Sequence, residues 1–337
     1  MKGIAHFAIS VAAATFFPYI VHDAAQGLAF GPVLAGIAGL LPDTLDFKLL
    51  RYLERPDQVI DPAHLTTSDA GAPGAGLPDP ALLAARIAAA ADRAHDTGRP
   101  VPVRLHTQRL GGDLWRRWIV AFDPDEGRVE VRLGPAVTTG QVPLPGSEPA
   151  GPAIASAPVR APLRYLAGDE IVVDIFNGPS LAFEPGEDGV EVIFLPWHRA
   201  WTHSLLMALL LGLAGCLVAP VYGLAMALAV LAHVAVDQLG FMGSNILFPW
   251  TRRRSRGLGL FHSGEALPNF LAVWTSLALI LLNLDRFSGQ PALSPGPYLL
   301  LAVVLPAALL VAASPRRGAE PAAPATEALA EAADPEL

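Results

Sequence analysis

The chain has 337 residues, 52% of them hydrophobic and 16% charged, with mean hydropathy +0.42 and a net charge of −8. Soluble domains carry about 25% charged residues, so the composition argues against a wholly soluble protein, and the acidic balance argues against nucleic acid as an electrostatic partner. The single cysteine, Cys216, rules out an intramolecular disulfide and a thiolate zinc cluster, so any metal must be held by His, Asp or Glu.

The first thirty residues, "MKGIAHFAISVAAATFFPYIVHDAAQGLAF", place a lysine before an apolar run and so imitate a signal peptide. The early histidine, the internal Pro-Tyr and a second apolar run close behind favour an uncleaved transmembrane helix, with cleavage as the minor alternative. Apolar runs at 4–21, 28–41, 204–218, 221–236, 267–284 and 298–313 predict membrane helices; a perpendicular crossing needs about 20 residues. Short connections at 23–27, 219–220 and 285–296 group them into three antiparallel hairpins.

Between the first and second hairpins, 54–195 changes composition and is rich in Pro and Gly. "DPALLAARIAAAADRAHDTG" predicts one amphipathic helix stopped at Gly98. "VPVRLHT", "WRRWIVAF", "RVEVRLG", "EIVVDIF" and "VEVIFL" are short, β-branched and bounded by turn residues, which predicts antiparallel strands. The stretch "PLPGSEPAGPAIASAPVRAP" reads as a flexible loop, and the Ala/Pro/Glu-rich tail at 314–337 as disordered.

Lys2, Lys48, Arg51, the "RRRSR" stretch at 252–256, Arg316 and Arg317 all flank the same ends of the predicted helices. The positive-inside rule makes that side cytoplasmic, with both termini and the insert on it. "RRRSR" also offers attraction to anionic lipids.

That side also collects ionisable residues: His6 on the first helix, Asp43 and Asp46 closing the second, His198 and His203 opening the third, His233 and Asp237 closing the fourth. His203 and Asp237 are nearly equidistant from the turn at 219–220. His6 and Asp43 are similarly placed about 23–27, so antiparallel pairing brings each couple to one depth. His233 and Asp237 are four apart and share a helix face. Imidazole and carboxylate are ligands for zinc, and for manganese or iron where oxygen donors dominate. Such groups within a bilayer are costly unless paired or coordinated, and their number leaves room for a two-metal site. Taken singly, each has a plain structural reading; taken together they point to metal. Arg199 reads equally as an anion clamp or a headgroup anchor, Thr202 as the N-cap of the third helix, Trp197 and Trp201 as interfacial residues. His262 and Glu265 open the fifth helix, where capping and interface roles outweigh a ligand role.

"LPDTLD", "HRAWTHSLL" and "HVAVD", in this order between apolar helices, resemble the family of inner-membrane-bound metal-dependent hydrolases. That family shows an early His, then Leu-Pro-Asp-x-Asp, His-Arg-Gly-x-Thr-His-Ser and His-x-x-x-Asp. It is similar at a distance to the zinc-dependent phospholipase C and nuclease group, helical enzymes that cleave phosphoesters with clustered zinc, and its members have been tagged as LexA-binding. The resemblance covers the first fifty residues and 198–237, with weaker support through the later helices. It implies ligand roles for His6, Asp43, Asp46, His198, His203, His233 and Asp237. The chain departs from the pattern with Asp-x-x-Asp in place of Asp-x-Asp and with Ala200 in place of Gly, and its insert lies outside the common core.

The expected fold is mainly α: a polytopic transmembrane bundle of about six helices with an inserted cytoplasmic β-rich domain. It divides into 1–53, 54–195, 196–313 and 314–337. The expected function is a hydrolase of the bacterial inner membrane with a divalent metal, zinc foremost and manganese or iron as alternatives, acting on a phosphoester. The metal would acidify a bound water, Asp46 or Asp237 would serve as general base, and Arg199 would hold the substrate anion. Expected partners are membrane lipids, a lipid or other phosphoester substrate and a protein partner for the insert, with no direct nucleic-acid contact. Two alternatives stay open: a non-catalytic scaffold with a structural metal, and a transporter using the cluster as an ion relay. The apolar helix centres "LLMALLLGLAGCLVA" and "LAVWTSLALILL" speak against the relay.

Overall fold

The computed structural model describes residues 2–26, 30–66, 76–165, 170–175, 178–251, 254–261 and 264–313. His262, the first two arginines of "RRRSR" and the tail at 314–337 lie outside the described residues. The described residues form two compact units: 2–53 with 197–313, and Glu54–Pro196.

The first helix ends early. Pro18 has no N–H to donate, and its ring disfavours helical backbone in the residue before it; Phe17 is accordingly extended, with φ −101° and ψ 112°. α1 (Gly3–Thr15) and α2 (Pro18–Ala25) therefore meet at 95°, where the sequence predicts one run. α3 (Phe30–Leu45) does not stop at "LPD". It passes through Pro42, widens into a π-helical segment at Asp46–Leu50 and ends in the short α4 (Arg51–Leu53).

The second unit contains β1 (Gln58–Ile60), α5 (Pro80–Thr97), β2 (Val101–Leu105), β3 (Gln108–Gly111), β4 (Leu114–Asp123), β5 (Arg128–Thr138), β6 (Ile154–Pro158), β7 (Leu163–Tyr165), β8 (Ile171–Val173), β9 (Ser180–Gly186) and β10 (Gly189–Phe194). One sheet runs β1-β2-β9-β10-β7, with β1 parallel to β2 and β7 parallel to β10. The other runs β3-β4-β5-β6, with β8 also paired to β4. The strands follow the alternation in their sequences: Val101, Val103 and Leu105 are buried, and the residues between them are partly exposed. Asp79 caps α5 by accepting from the Ala81 N–H at 2.8 Å, Pro80 opens the helix, and Gly98 closes it at φ 61°. Leu83, Ile87, Ala90, Ala91 and Ala94 form the buried stripe of that helix.

The first unit resumes with α6 (Leu205–Cys216), α7 (Pro220–Asp237), α8 (Ala266–Arg286), α9 (Pro295–Leu299), a π-helical segment at Leu300–Val304 and α10 (Leu305–Ala313). Ser204, not Thr202, caps α6: its Oγ accepts the Met207 N–H at 3.2 Å.

The six-helix transmembrane bundle expected from the apolar runs is overturned. Among the described residues only three helical spans are long and apolar enough to cross a membrane: Pro220–Asp237, Ala266–Arg286 and Pro295–Ala312. The bent pair α1–α2 raises that to four if it counts as one span. Apolar composition marks burial without saying what does the burying. α6 has 12 residues, about 18 Å of helix against a hydrocarbon core of about 30 Å. The fold is also not mainly α, because the described residues include ten strands in two five-stranded sheets.

Small residues let the site-bearing helices touch. A Cβ at Gly39 on α3 would overlap the Ser10 side chain on α1, and one at Gly223 on α7 would overlap the Cys216 sulfur and the Gly212 carbonyl on α6.

Candidate metal centre

The α1–α3–α7 crossing sets the position of the centre. The Ser10 hydroxyl donates to the Ala229 carbonyl at 3.1 Å, and Gly39 packs against Ser10. His6 lies one helical turn from Ser10, Asp43 one turn from Gly39, and His233 one turn from Ala229, with Asp237 one turn further. Because the three helices cross at small residues, these four side chains reach one depth. His203 joins them from the segment leading into α6.

His203 Nε2 lies 3.1 Å from Asp43 Oδ1 and 3.4 Å from Asp237 Oδ2. His233 Nε2 lies 3.3 Å from Asp237 Oδ2 and 3.8 Å from Asp43 Oδ1. One ligand atom from each of these four residues falls within 4.8 Å of all the others. His6 borders the group: its Nε2 is 3.5 Å from Asp237 Oδ1 and 3.8 Å from Asp43 Oδ2, and its ring stacks on His233 with centroids 3.9 Å apart. The three imidazoles and Asp237 are buried, whereas the Asp43 side chain is 19% exposed.

Three observations show that this donor set fits a divalent cation. Donors about 2.1 Å from a tetrahedral ion stand about 3.4 Å apart, and the four imidazole–carboxylate separations in this group run from 3.1 to 3.8 Å. His6 Nδ1 and Nε2, His233 Nε2 and both Asp237 carboxylate oxygens are buried without a hydrogen bond, and such groups normally find partners. His233 Nδ1 donates to the Gly39 carbonyl at 2.7 Å, which fixes the tautomer and leaves Nε2 with a free lone pair. Charge agrees: the buried Asp46 and Asp237 and the partly exposed Asp43 stand around one guanidinium.

Asp46 and His198 occupy a neighbouring position. Asp46 is fully buried. Its Oδ2 accepts the Arg199 backbone N–H at 2.8 Å and His198 Nδ1–H at 3.0 Å, and its Oδ1 accepts the Thr202 hydroxyl at 2.6 Å. His203 Nδ1 lies 3.3 Å from Asp46 Oδ2 and 3.0 Å from Thr202 Oγ1. One ligand atom each from Asp46, His198 and His203 could also surround an ion. Burial pushes the His198 imidazole down to about 4 against the pull of Asp46, so it is neutral near pH 7. Trp197 and Phe47 enclose this end, with ring centroids 5.2 Å apart.

Arg199 has φ 56°, the left-handed region that non-glycine residues rarely adopt. That backbone turns its N–H onto Asp46. Its Nη2 sits 3.0 Å from Asp237 Oδ1, in ion-pair range but without hydrogen-bond alignment, and its Nη1 donates to the Asp237 carbonyl at 3.4 Å. The guanidinium is therefore engaged by Asp237, not turned outward to an anion.

The structure thus brings His6, Asp43, His203, His233 and Asp237 around one point and sets Asp46, His198 and Arg199 around them. Glu265 stands at the N-cap of α8 and is not among the cluster donors. Two contributors escaped the sequence reading. Thr202 is legible as a hydroxyl whose place before the apolar run suggests capping, but Ser204, directly before that run, is the cap. The Gly39 carbonyl carries no side-chain signal at all.

Residues 162–318, just under half of the chain, match the profile of a family described as the YdjM inner membrane protein. The matched stretch holds His198, Arg199, His203, His233 and Asp237, but not His6, Asp43 or Asp46. No curated protein and no solved structure matches the chain. The family description names a location and no activity. Together with the helices long and apolar enough to cross a bilayer, it supports a membrane protein that carries His/Asp groups able to bind a metal.

Proposed function

We propose that this chain is a multi-pass metal-dependent hydrolase of the inner membrane, with its centre at the cytoplasmic face and a phosphoester on an amphipathic molecule as substrate. The observation that carries this reading is the ring of buried His6, His233 and Asp237, whose ligand atoms make no hydrogen bond, completed by Asp43 and His203. A divalent cation held there, zinc foremost, would polarise a substrate oxygen and acidify a coordinated water. The chain's own residues do the rest. The Gly39 carbonyl fixes the His233 tautomer, Arg199 holds Asp237 in place, and Asp43, the one partly exposed donor, faces the side from which water and substrate arrive. Lys48 and Arg51 follow Asp43, and Arg254 and Arg256 follow Asp237; the positive-inside rule puts these helix ends in the cytoplasm, beside anionic headgroups. We further propose a protein partner for the Glu54–Pro196 unit.

A structural metal in a non-catalytic scaffold is the second reading. It is favoured by the engagement of the Arg199 guanidinium with Asp237 instead of with an anion. Detergent-purified protein assayed on a chromogenic phosphodiester and on phospholipid vesicles decides between the two. Chelator-sensitive turnover lost in Asp43→Asn and His203→Ala is the expected result; stoichiometric metal with no turnover on either substrate selects the scaffold.

A further inference from the structure

Asp46 belongs to the predicted ligand set, yet its surroundings are those of a hydrogen-bond hub. An ionised carboxylate offers about four acceptor positions. Oδ2 accepts from the Arg199 N–H and His198 Nδ1 at 2.8 and 3.0 Å, Oδ1 accepts the Thr202 hydroxyl at 2.6 Å, and His203 Nδ1 stands 3.3 Å from Oδ2. The donors that occupy the carboxylate include a backbone N–H and a hydroxyl, which no metal would replace without leaving buried groups unpaired. His203 presents its two nitrogens to two different environments: Nε2 to Asp43 and Asp237, Nδ1 to Asp46 and Thr202. Only a proton on Nδ1 satisfies the second environment, and that proton leaves Nε2 with its lone pair toward the cluster.

We propose that Asp46 is a positioning residue for the metal centre and not one of its ligands: with Thr202 it holds the proton on Nδ1 of His203 and fixes the ring so that Nε2 serves the ion. This inference rests on the metal centre proposed above. Carboxylates behind a ligating imidazole orient it and raise its basicity, and their loss weakens metal binding about 10- to 100-fold. The positive φ of Arg199 has its explanation here, since it aims the Arg199 N–H at Asp46.

The test uses the full chain in detergent, zinc affinity by chelator competition and the visible spectrum of the cobalt-substituted protein. Asp46→Asn is expected to keep the wild-type zinc stoichiometry at saturation and the wild-type cobalt band positions, with zinc binding weakened about 10- to 100-fold. His203→Ala is expected to lose the ion or shift the cobalt spectrum. Asp46→Asn behaving like His203→Ala would make Asp46 a ligand and overturn the proposal. Should Asp46→Asn fail to fold, Thr202→Val is expected to weaken zinc binding about 2- to 10-fold with an unchanged cobalt spectrum; unchanged affinity would overturn the proposal. Wild-type protein that binds no zinc or cobalt would remove the metal centre itself, a failure read from the wild type alone.

Discussion

In the β unit, Asp174 and Glu54 each meet an arginine of their own. Asp174 is 1% exposed and receives Arg117 Nη2 at 3.1 Å; Glu54 receives Arg104 at 3.2 Å and the Ser180 hydroxyl. In the helical unit, Asp43, Asp46 and Asp237 stand among four imidazoles and a single guanidinium, which pairs with Asp237. One-to-one pairing closes its own charge balance and calls for nothing further. A buried surplus of negative charge is unfavourable unless something neutralises it, and a ring of imidazole and carboxylate donors at ligand spacing says what that something is.

The same substitution made in both units separates them. Asp237→Ala is expected to abolish metal binding and to strand Arg199, destabilising the helical unit by at least about 3–5 kcal/mol; metal analysis and segment-resolved hydrogen exchange read both effects. Next in size is chelation of the wild-type protein. An ion held at a thousandfold over its dissociation constant contributes about 4 kcal/mol, so removing it is expected to raise exchange in α1, α3 and α7 and to leave the strands unchanged. Asp174→Ala is expected to cost about 1–3 kcal/mol, less because the Arg117 side chain is 22% exposed, with the metal content unaltered. The smallest effect is expected at Gly98, whose φ of 61° makes Gly98→Ala unfavourable by about 1–2 kcal/mol; denaturant unfolding of the β unit checks it, again with no change in bound metal. Any loss of metal in the last two variants would mean that the two units do not keep their charges separately.

The sequence was most legible where local patterns decide the outcome. The helix from Pro80 to Thr97 announced itself through Asp79, its alanine-rich stripe and Gly98, and the strands around Val103, Val120, Val131 and Val192 through alternation. It was least legible where an apolar run does not say whether lipid or protein will cover it. The 4–21 run hid the break at Phe17, although Pro18 was the signal for it. The 204–218 run looked like a crossing but yields a 12-residue helix packed on α7 through Gly212, Gly215 and Gly223. At the site, residue types and helix ends brought the right side chains together. Which nitrogen of an imidazole faces which carboxylate is a property of three-dimensional packing, and so the separate positions of Asp43 and Asp46 could not be read from "LPDTLD".

The most direct test of the account is the metal content of the detergent-purified full chain by mass spectrometry, wild type beside His203→Ala. The expected result is about one divalent ion per wild-type chain, as the donor set around His203 predicts, and none in the variant. Wild-type protein that stays metal-free after reconstitution with zinc, manganese and iron would contradict it.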